Sequence, residues 1–498
     1  MTAVHQVRVL LALRWKMLRS VKARLAVVAG MGVAAGLILG VATVAGSLSR
    51  EFEQGATVLL PALLATFIVL AVVGGLAAGG GTEIIPAGQL ITYPISPRAI
   101  YLGSVALAPL NFAWAAQIVV LVGMVVYLAT PRSAAPLGVL LLLTFAGTST
   151  ALGLAVSWFI VGIRQNQVGR WVTTSLGLLT VAVAILAALT GVLRALIENP
   201  LLINLAQSLT RPLSATALGW FAALALLSVT AATLGSQACN WSLRRRDVPT
   251  GTQDSRRHLR RNPKSSAWRE TVAVDRGSVW RSRPIRRGLV LMGLAPGVAA
   301  AVSAVGWEDL VVLPPLVAAG AALLFAINVL SLDGPGALWL ESTPRSPALA
   351  LASKAWVSGE VVLFTVACSM LVITVALGPP QQPRLALTLA LSMAVGVVWA
   401  VALALRRSVR TPNKADLQSA RDTPGPPAAM LAHAVRLTTF AIVPGVGFTL
   451  LLVAGPWWLL LVFAAGMLGL AALHVRHTWQ DWSRPAWRAL VVTRVARG

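Results

Sequence analysis

The chain has 498 residues, of which 57% are apolar and only 11% charged, with a mean hydropathy of +0.78. A soluble globular protein carries about 25% charged residues, so a water-soluble enzyme of one to three domains is excluded. Lys and Arg number 41 against 16 Asp and Glu, a net charge of +25, and the two cysteines, Cys239 and Cys368, lie in apolar runs and cannot build a disulfide framework.

The apolar residues gather in blocks of about 20, the length of a helix that crosses a bilayer. In chain order the first six candidates are Leu25–Leu48, Thr57–Gly79, Gly103–Thr130, Leu137–Gly162, Trp171–Leu193 and Ala217–Trp241. The second six are Gly288–Val305, Leu310–Leu332, Ala355–Gly378, Leu385–Leu405, Leu437–Gly455 and Trp457–Val475. Helices are expected because backbone groups in lipid must be satisfied within the segment, and the alternation of a barrel strand is absent. The first block is too long for a cleavable signal peptide, and no polar mature region follows it. The fold class read from this pattern is an all-α polytopic membrane protein with 12 transmembrane helices.

Charge orients the helices. With the N-terminus inside, 35 of the 41 Lys and Arg residues fall in cytoplasmic segments, while Arg50, Arg132, Arg211 and Arg384 lie outside. By the positive-inside rule both termini are cytoplasmic. Residues 244–287 form a basic cytosolic linker and second elbow, with fourteen basic residues against Asp247, Asp254, Glu270 and Asp275. They separate a first six-helix unit, 1–243, from a second, 288–498. Such a run suits a surface beside anionic lipid. The interleaved aromatics of a nucleic-acid platform are missing, so no nucleic-acid partner is expected.

The two halves echo each other. Glu83 to Pro97 reads EIIPAGQLITYPISP, and 250 positions later Asp333 to Pro347 reads DGPGALWLESTPRSP. Glu83 aligns with Asp333 and Leu90 with Leu340, while Pro94, Ser96 and Pro97 align with Pro344, Ser346 and Pro347. An even number of spans per half makes the repeats parallel, related by an axis along the membrane normal. In each copy Ser96 or Ser346 can cap a helix whose first residue is Pro97 or Pro347. The plain alternative is a tight connection between two spans. The recurrence at the same place in both halves favours a docking surface.

These loops resemble those of the permease subunits of ABC-2 type exporters. The residues that carry the resemblance are Glu83, Leu90, Pro94, Ser96, Pro97 and Arg98 in the first half, with Tyr93 as a further candidate of the same coupling loop. In the second they are Asp333, Leu340, Pro344, Arg345, Ser346, Pro347 and Lys354, with Glu341 as a further candidate. The resemblance implies six spans per unit, an amphipathic elbow helix before the first span, and a coupling helix after the second. It further implies two copies of a separate ATPase subunit that carry ATP and Mg, with no cofactor on this chain. Val7 to Arg24 would be the first elbow, and Trp268 to Arg287 a shorter second one limited by Pro284. The two units, separate chains in most such permeases, would here be fused, and the setting would be a bacterial plasma membrane.

The chain itself has no G-x-x-x-x-G-K-[ST] loop to cradle phosphates, so it is read as a transport subunit rather than an enzyme. His5, His258, His433, His474 and His477 show no metal-ligand spacing. Glu360 lies inside the ninth span, where it either pairs with Lys354 at the cytosolic edge, ties the loop region to the helices, or lines a cavity. Asn111, Gln117 and Asn328 read as interhelical hydrogen-bond partners. With so few charges in the spans, the cargo is expected to be hydrophobic or amphipathic: a drug, antibiotic, lipid or peptide. One alternative, a proton-coupled secondary transporter, needs buried acids, of which Glu360 alone qualifies. Another, a membrane-embedded transferase, needs a large catalytic loop. The outer loops are short and hold only Glu51, Glu53, Glu198, Glu308 and Asp309.

Overall fold

The structure, a computed structural model, describes residues 3–17, 50–77, 95–164 without 111, 199–244, 266–302, 306–325, 329–343 without 335, 346–412 and 427–497, with isolated positions between 166 and 186. The expected span Leu25–Leu48 lies outside the described residues, and Trp171–Leu193 mostly so. No strand occurs among the described residues. Six of their helices are long and apolar enough to cross a membrane, so the chain carries transmembrane helices and is all-α. It divides into two compact units, Met1–Arg256 and Arg257–Gly498.

The first unit contains α1 (Ala3–Met17), α2 (Arg50–Ala77), α3 (Pro97–Leu107), α4 (Phe112–Leu128), α5 (Ala135–Arg164), α6 (Pro200–Thr210) and α7 (Ala215–Arg244). The sequence pattern predicts one helix over Gly103–Thr130. It is instead divided by a single 3-10 turn, Ala108–Leu110. Pro109 sits within that turn, and a ring that removes an N–H donor breaks the helical ladder there. Leu64 and Phe67 of α2, Val125 of α4, Leu141 and Phe145 of α5, and Leu209 of α6 share one core.

Helices α2, α5 and α7 run parallel. Phe67 meets Phe145 with ring centroids 6.0 Å apart, and a methyl group on Gly153 would overlap the Ala71 carbonyl. On the other flank of α5, Thr148 hydrogen-bonds Ser228 of α7 at 2.6 Å, and Gly162 makes room for the Trp241 ring. Small residues let helices approach where lipid supplies no hydrophobic drive.

The second unit contains α8 (Ala267–Arg281), α9 (Arg283–Val302), α10 (Leu313–Phe325), α11 (Gly336–Ser342), α12 (Pro347–Leu377), α13 (Pro383–Arg410), α14 (Pro427–Ala454), α15 (Trp457–Ser483) and α16 (Pro485–Arg497). The predicted span Leu310–Leu332 is not one helix. It opens with a 3-10 turn at Asp309–Val312, continues as α10, and closes with a 3-10 stretch at Val329–Asp333. Pro314 and Pro315 lie at the start of α10, where a fixed φ suits a first helical turn.

Here α10, α13 and α15 also run parallel. Ser392 donates to the Val311 carbonyl at 2.7 Å and Val329 N–H donates to Ser408 at 2.9 Å. Trp399 donates to the Met467 carbonyl at 3.0 Å, and Arg410 pairs with Asp481 at 3.0 Å. At one end of this unit Trp307 donates to the Gly378 carbonyl, and Arg384 donates to the carbonyls of Leu451 and Gly455, capping α14. At the other end lie the first residues of α12 and the last of α13 and α15. There Trp482 donates to Pro347 and Trp487 to Val409.

Candidate functional site

The loop after α10 is described in the second unit. Gly334 follows Asp333 with φ +48, a left-handed turn that a side chain would strain. Its N–H donates to Ser331, and its carbonyl accepts from Ala337, which launches the seven-residue α11. Ala337 is buried, Leu340 half-buried, and both line a cleft with Glu341. These three positions, i, i+3 and i+4, form one helical face. The opposite face presents Leu338 and Trp339, the latter 68% exposed.

A buried ion cluster holds this loop. Lys354 Nζ on α12 lies 2.8 Å from Asp333 Oδ1 and 2.8 Å from Asp275 Oδ1 on α8. Ser353 donates to the second oxygen of Asp275 at 2.6 Å. All three ionic side chains are less than 10% exposed. Charges taken out of water are tolerated only when paired and hydrogen-bonded. The cluster therefore locks the loop entrance, the preceding amphipathic helix and α12 in one geometry.

Helix α8 reaches α12 for a local reason. Ser266 caps it by accepting from the Arg269 N–H; Thr271, Val272, Asp275 and Val279 are its buried positions, and the helix packs against α12. It spans Ala267–Arg281 and ends before Pro284, which becomes an early residue of α9. The expected second elbow is thus a helix in its own right. Adjacent to Asp275, Arg276 forms a pair with Glu360, and Trp356 also donates to Glu360. Glu360 does not pair with Lys354: that ammonium is already enclosed by two other carboxylates, and Arg276 reaches Glu360 from α8.

The cleft measures about 50 Å³ and is bordered by Asp275, Asp333, Lys354, Glu341, Trp482 and Val495. That is room for a few waters, far below a ligand pocket of about 300–1,000 Å³. It is a joint between elements. One wall is α16, whose Val491, Val492 and Val495 are buried and whose Arg488 bonds Glu341 at 2.6 Å.

In the first unit, Ser96 caps α3 as expected, accepting from the Ala99 N–H at 3.3 Å. Ser346 caps α12 in the same way from Leu349, at 3.1 Å. Backbone angles agree, φ −70 and ψ 144 against φ −67 and ψ 136. Ser96 also donates to the side-chain carbonyl of Gln6 on α1, at 2.8 Å. Both amphipathic helices, α1 and α8, therefore dock on the helix that the Ser-Pro turn begins. Arg98 is exposed and Gln117 half-buried in α4. Glu83, Leu90, Tyr93, Pro94, Asn111, Asn328, Pro344 and Arg345 lie outside the described residues.

Sequence reasoning counted Asp275 only as linker charge, and passed over α16. Both had a signal. Asp275 interrupts the Val272–Val279 apolar face at helical spacing, and Val491, Val492 and Val495 recur at i, i+1 and i+4. Comparison of the chain with protein-family models, with curated proteins and with solved structures returns no match.

Proposed function

We propose that the chain is the transmembrane permease subunit of an ATP-driven exporter of the ABC-2 type, with two six-helix units fused in a bacterial plasma membrane. Separate ATPase subunits would dock on the loops at Glu83–Arg98 and Asp333–Lys354 and drive export of a hydrophobic or amphipathic cargo. The observation that carries this reading is α11. It is a short helix at the basic end of its unit, fixed by a buried ion cluster and exposing Trp339. A rigid exposed aromatic suits the centre of a protein interface, and bracing lets a push on the loop move α12. A proton-coupled transporter calls for a buried, unpaired carboxylate. Glu360 is paired with Arg276 and 32% exposed at its side chain.

The test is co-expression of the chain with an ABC ATPase from the same genome, co-purification, and ATP hydrolysis in proteoliposomes. The expected result is a stoichiometric complex that Trp339→Ala weakens while the permease stays folded. A complex and hydrolysis rate indifferent to Trp339→Ala, and to replacement of Pro94–Pro97, would overturn the docking assignment.

A further inference from the structure

Among the described residues, the second unit gathers a surplus of positive charge that few carboxylates offset. Arg406, Arg407 and Arg410 occupy the last turns of α13, His433 and Arg436 lie on α14, and His474 on α15. Helix α13 packs against both neighbours. Trp399 floors the group, its ring stacked on Phe440 at 4.6 Å and lying 5.5 Å from His474. Arg406 feels the charges of Arg410 and Arg436, and Arg407 and His433 both feel Arg436. Among the described residues Asp481 is the single carboxylate acting on them, and Arg410 already bonds it at 3.0 Å.

Three buried atoms in this group have no hydrogen-bond partner: Arg406 Nη1, Arg407 Nε and His433 Nε2. His433 is 3% exposed. The neighbouring Arg407 Nη1 donates to Thr411 at 2.8 Å, so that side chain is held in place with its Nε left over. The two buried guanidinium N–H groups without acceptors, among like charges, call for an anionic acceptor. The surroundings say which kind. Arg436 is exposed in the third turn of α14, with Val435 beside it, and Ile442, Val446, Leu450 and Val453 continue from Val435 along one exposed apolar face. A cationic head above an apolar stripe is complementary to a phospholipid.

We propose that this basic cluster binds the phosphate of an anionic lipid headgroup in the leaflet on the basic side of the membrane. Among the described residues, four guanidiniums stand against one carboxylate, which fits a headgroup with two phosphates better than one with a single phosphate. Basic pockets between transmembrane helices take such headgroups.

The full chain in detergent, offered cardiolipin and phosphatidylcholine in equal amounts, tests this by native mass spectrometry. Cardiolipin should be retained in preference. Arg407→Gln and Arg436→Gln should each weaken its retention about fivefold, the worth of one basic residue near a headgroup. Arg436 is exposed, so its variant leaves packing intact, and Arg132→Gln in the first unit should change nothing. Millimolar inorganic phosphate should leave the lipid bound. Equal retention of both lipids, indifference to both arginine variants, or displacement by inorganic phosphate would overturn the proposal.

Discussion

Lys354 and Asp275 stand 79 positions apart in the chain and 2.8 Å apart in space, both nearly sealed from solvent. Asp333 completes the cluster from the other side of the same ammonium. Removing the cation alone leaves two carboxylates buried together, which costs far more than the pair is worth. Lys354→Met should therefore lower stability by about 3–5 kcal/mol, read as a fall in unfolding temperature in detergent. Adding Asp275→Asn and Asp333→Asn to that variant should restore most of the loss. An unchanged unfolding temperature in Lys354→Met alone would show that the cluster does not hold the loop.

One residue along, Arg276 and Glu360 join the same two helices with opposite sign, but at side-chain exposures of 50% and 32%. The hydrogen bond to Glu360 raises the Arg276 guanidinium further above its ordinary value, so this arginine stays charged at every accessible pH. Water and salt weaken exposed pairs. Arg276→Gln should cost less than about 1 kcal/mol, and the cost should fade in high salt. That of Lys354→Met should persist. Denaturation at two ionic strengths checks the contrast.

The two Ser-Pro turns allow a paired measurement. Loss of an N-cap costs about 1 kcal/mol, so Ser346→Ala should destabilise by that amount. Ser96→Ala should cost more, because Ser96 also donates to Gln6. In a double-mutant cycle, Gln6→Ala should cost less in the Ser96→Ala background than alone, because only the Ser96 N–H, 3.1 Å from the same oxygen, then still holds Gln6. Additive losses would mean that α1 does not dock through this contact.

These turns were legible because a cap needs only Ser and Pro in a fixed order, a property of adjacent residues. Six of the apolar blocks were legible for the same reason, since bilayer thickness sets their length. The break at Pro109 was written in the sequence too, but composition averaged over a block of about 20 residues hides a single ring. Partner choice was the least accessible. Lys354 had three acids within reach of its region, Asp333, Glu341 and Glu360, and a fourth, Asp275, much further along the chain. Only the docking of α8 decides among them. The exposed face of α11 was likewise invisible until α16 covered the other.

Close packing of α10 on α13 yields a prediction with opposite signs at two glycines. A methyl group on Gly396 would lie 2.6 Å from the Pro315 Cα, where backbone must give way. Gly396→Ala should therefore cost about 1–3 kcal/mol through overpacking. On α12, Gly359 has its nearest neighbour, the Val401 Cγ2, at 4.0 Å. There the substitution meets no obstacle and gains up to about 1 kcal/mol of helix propensity. Unfolding temperature should fall for Gly396→Ala and hold or rise for Gly359→Ala. The helices would be further apart than described if the first variant proved as stable as the second.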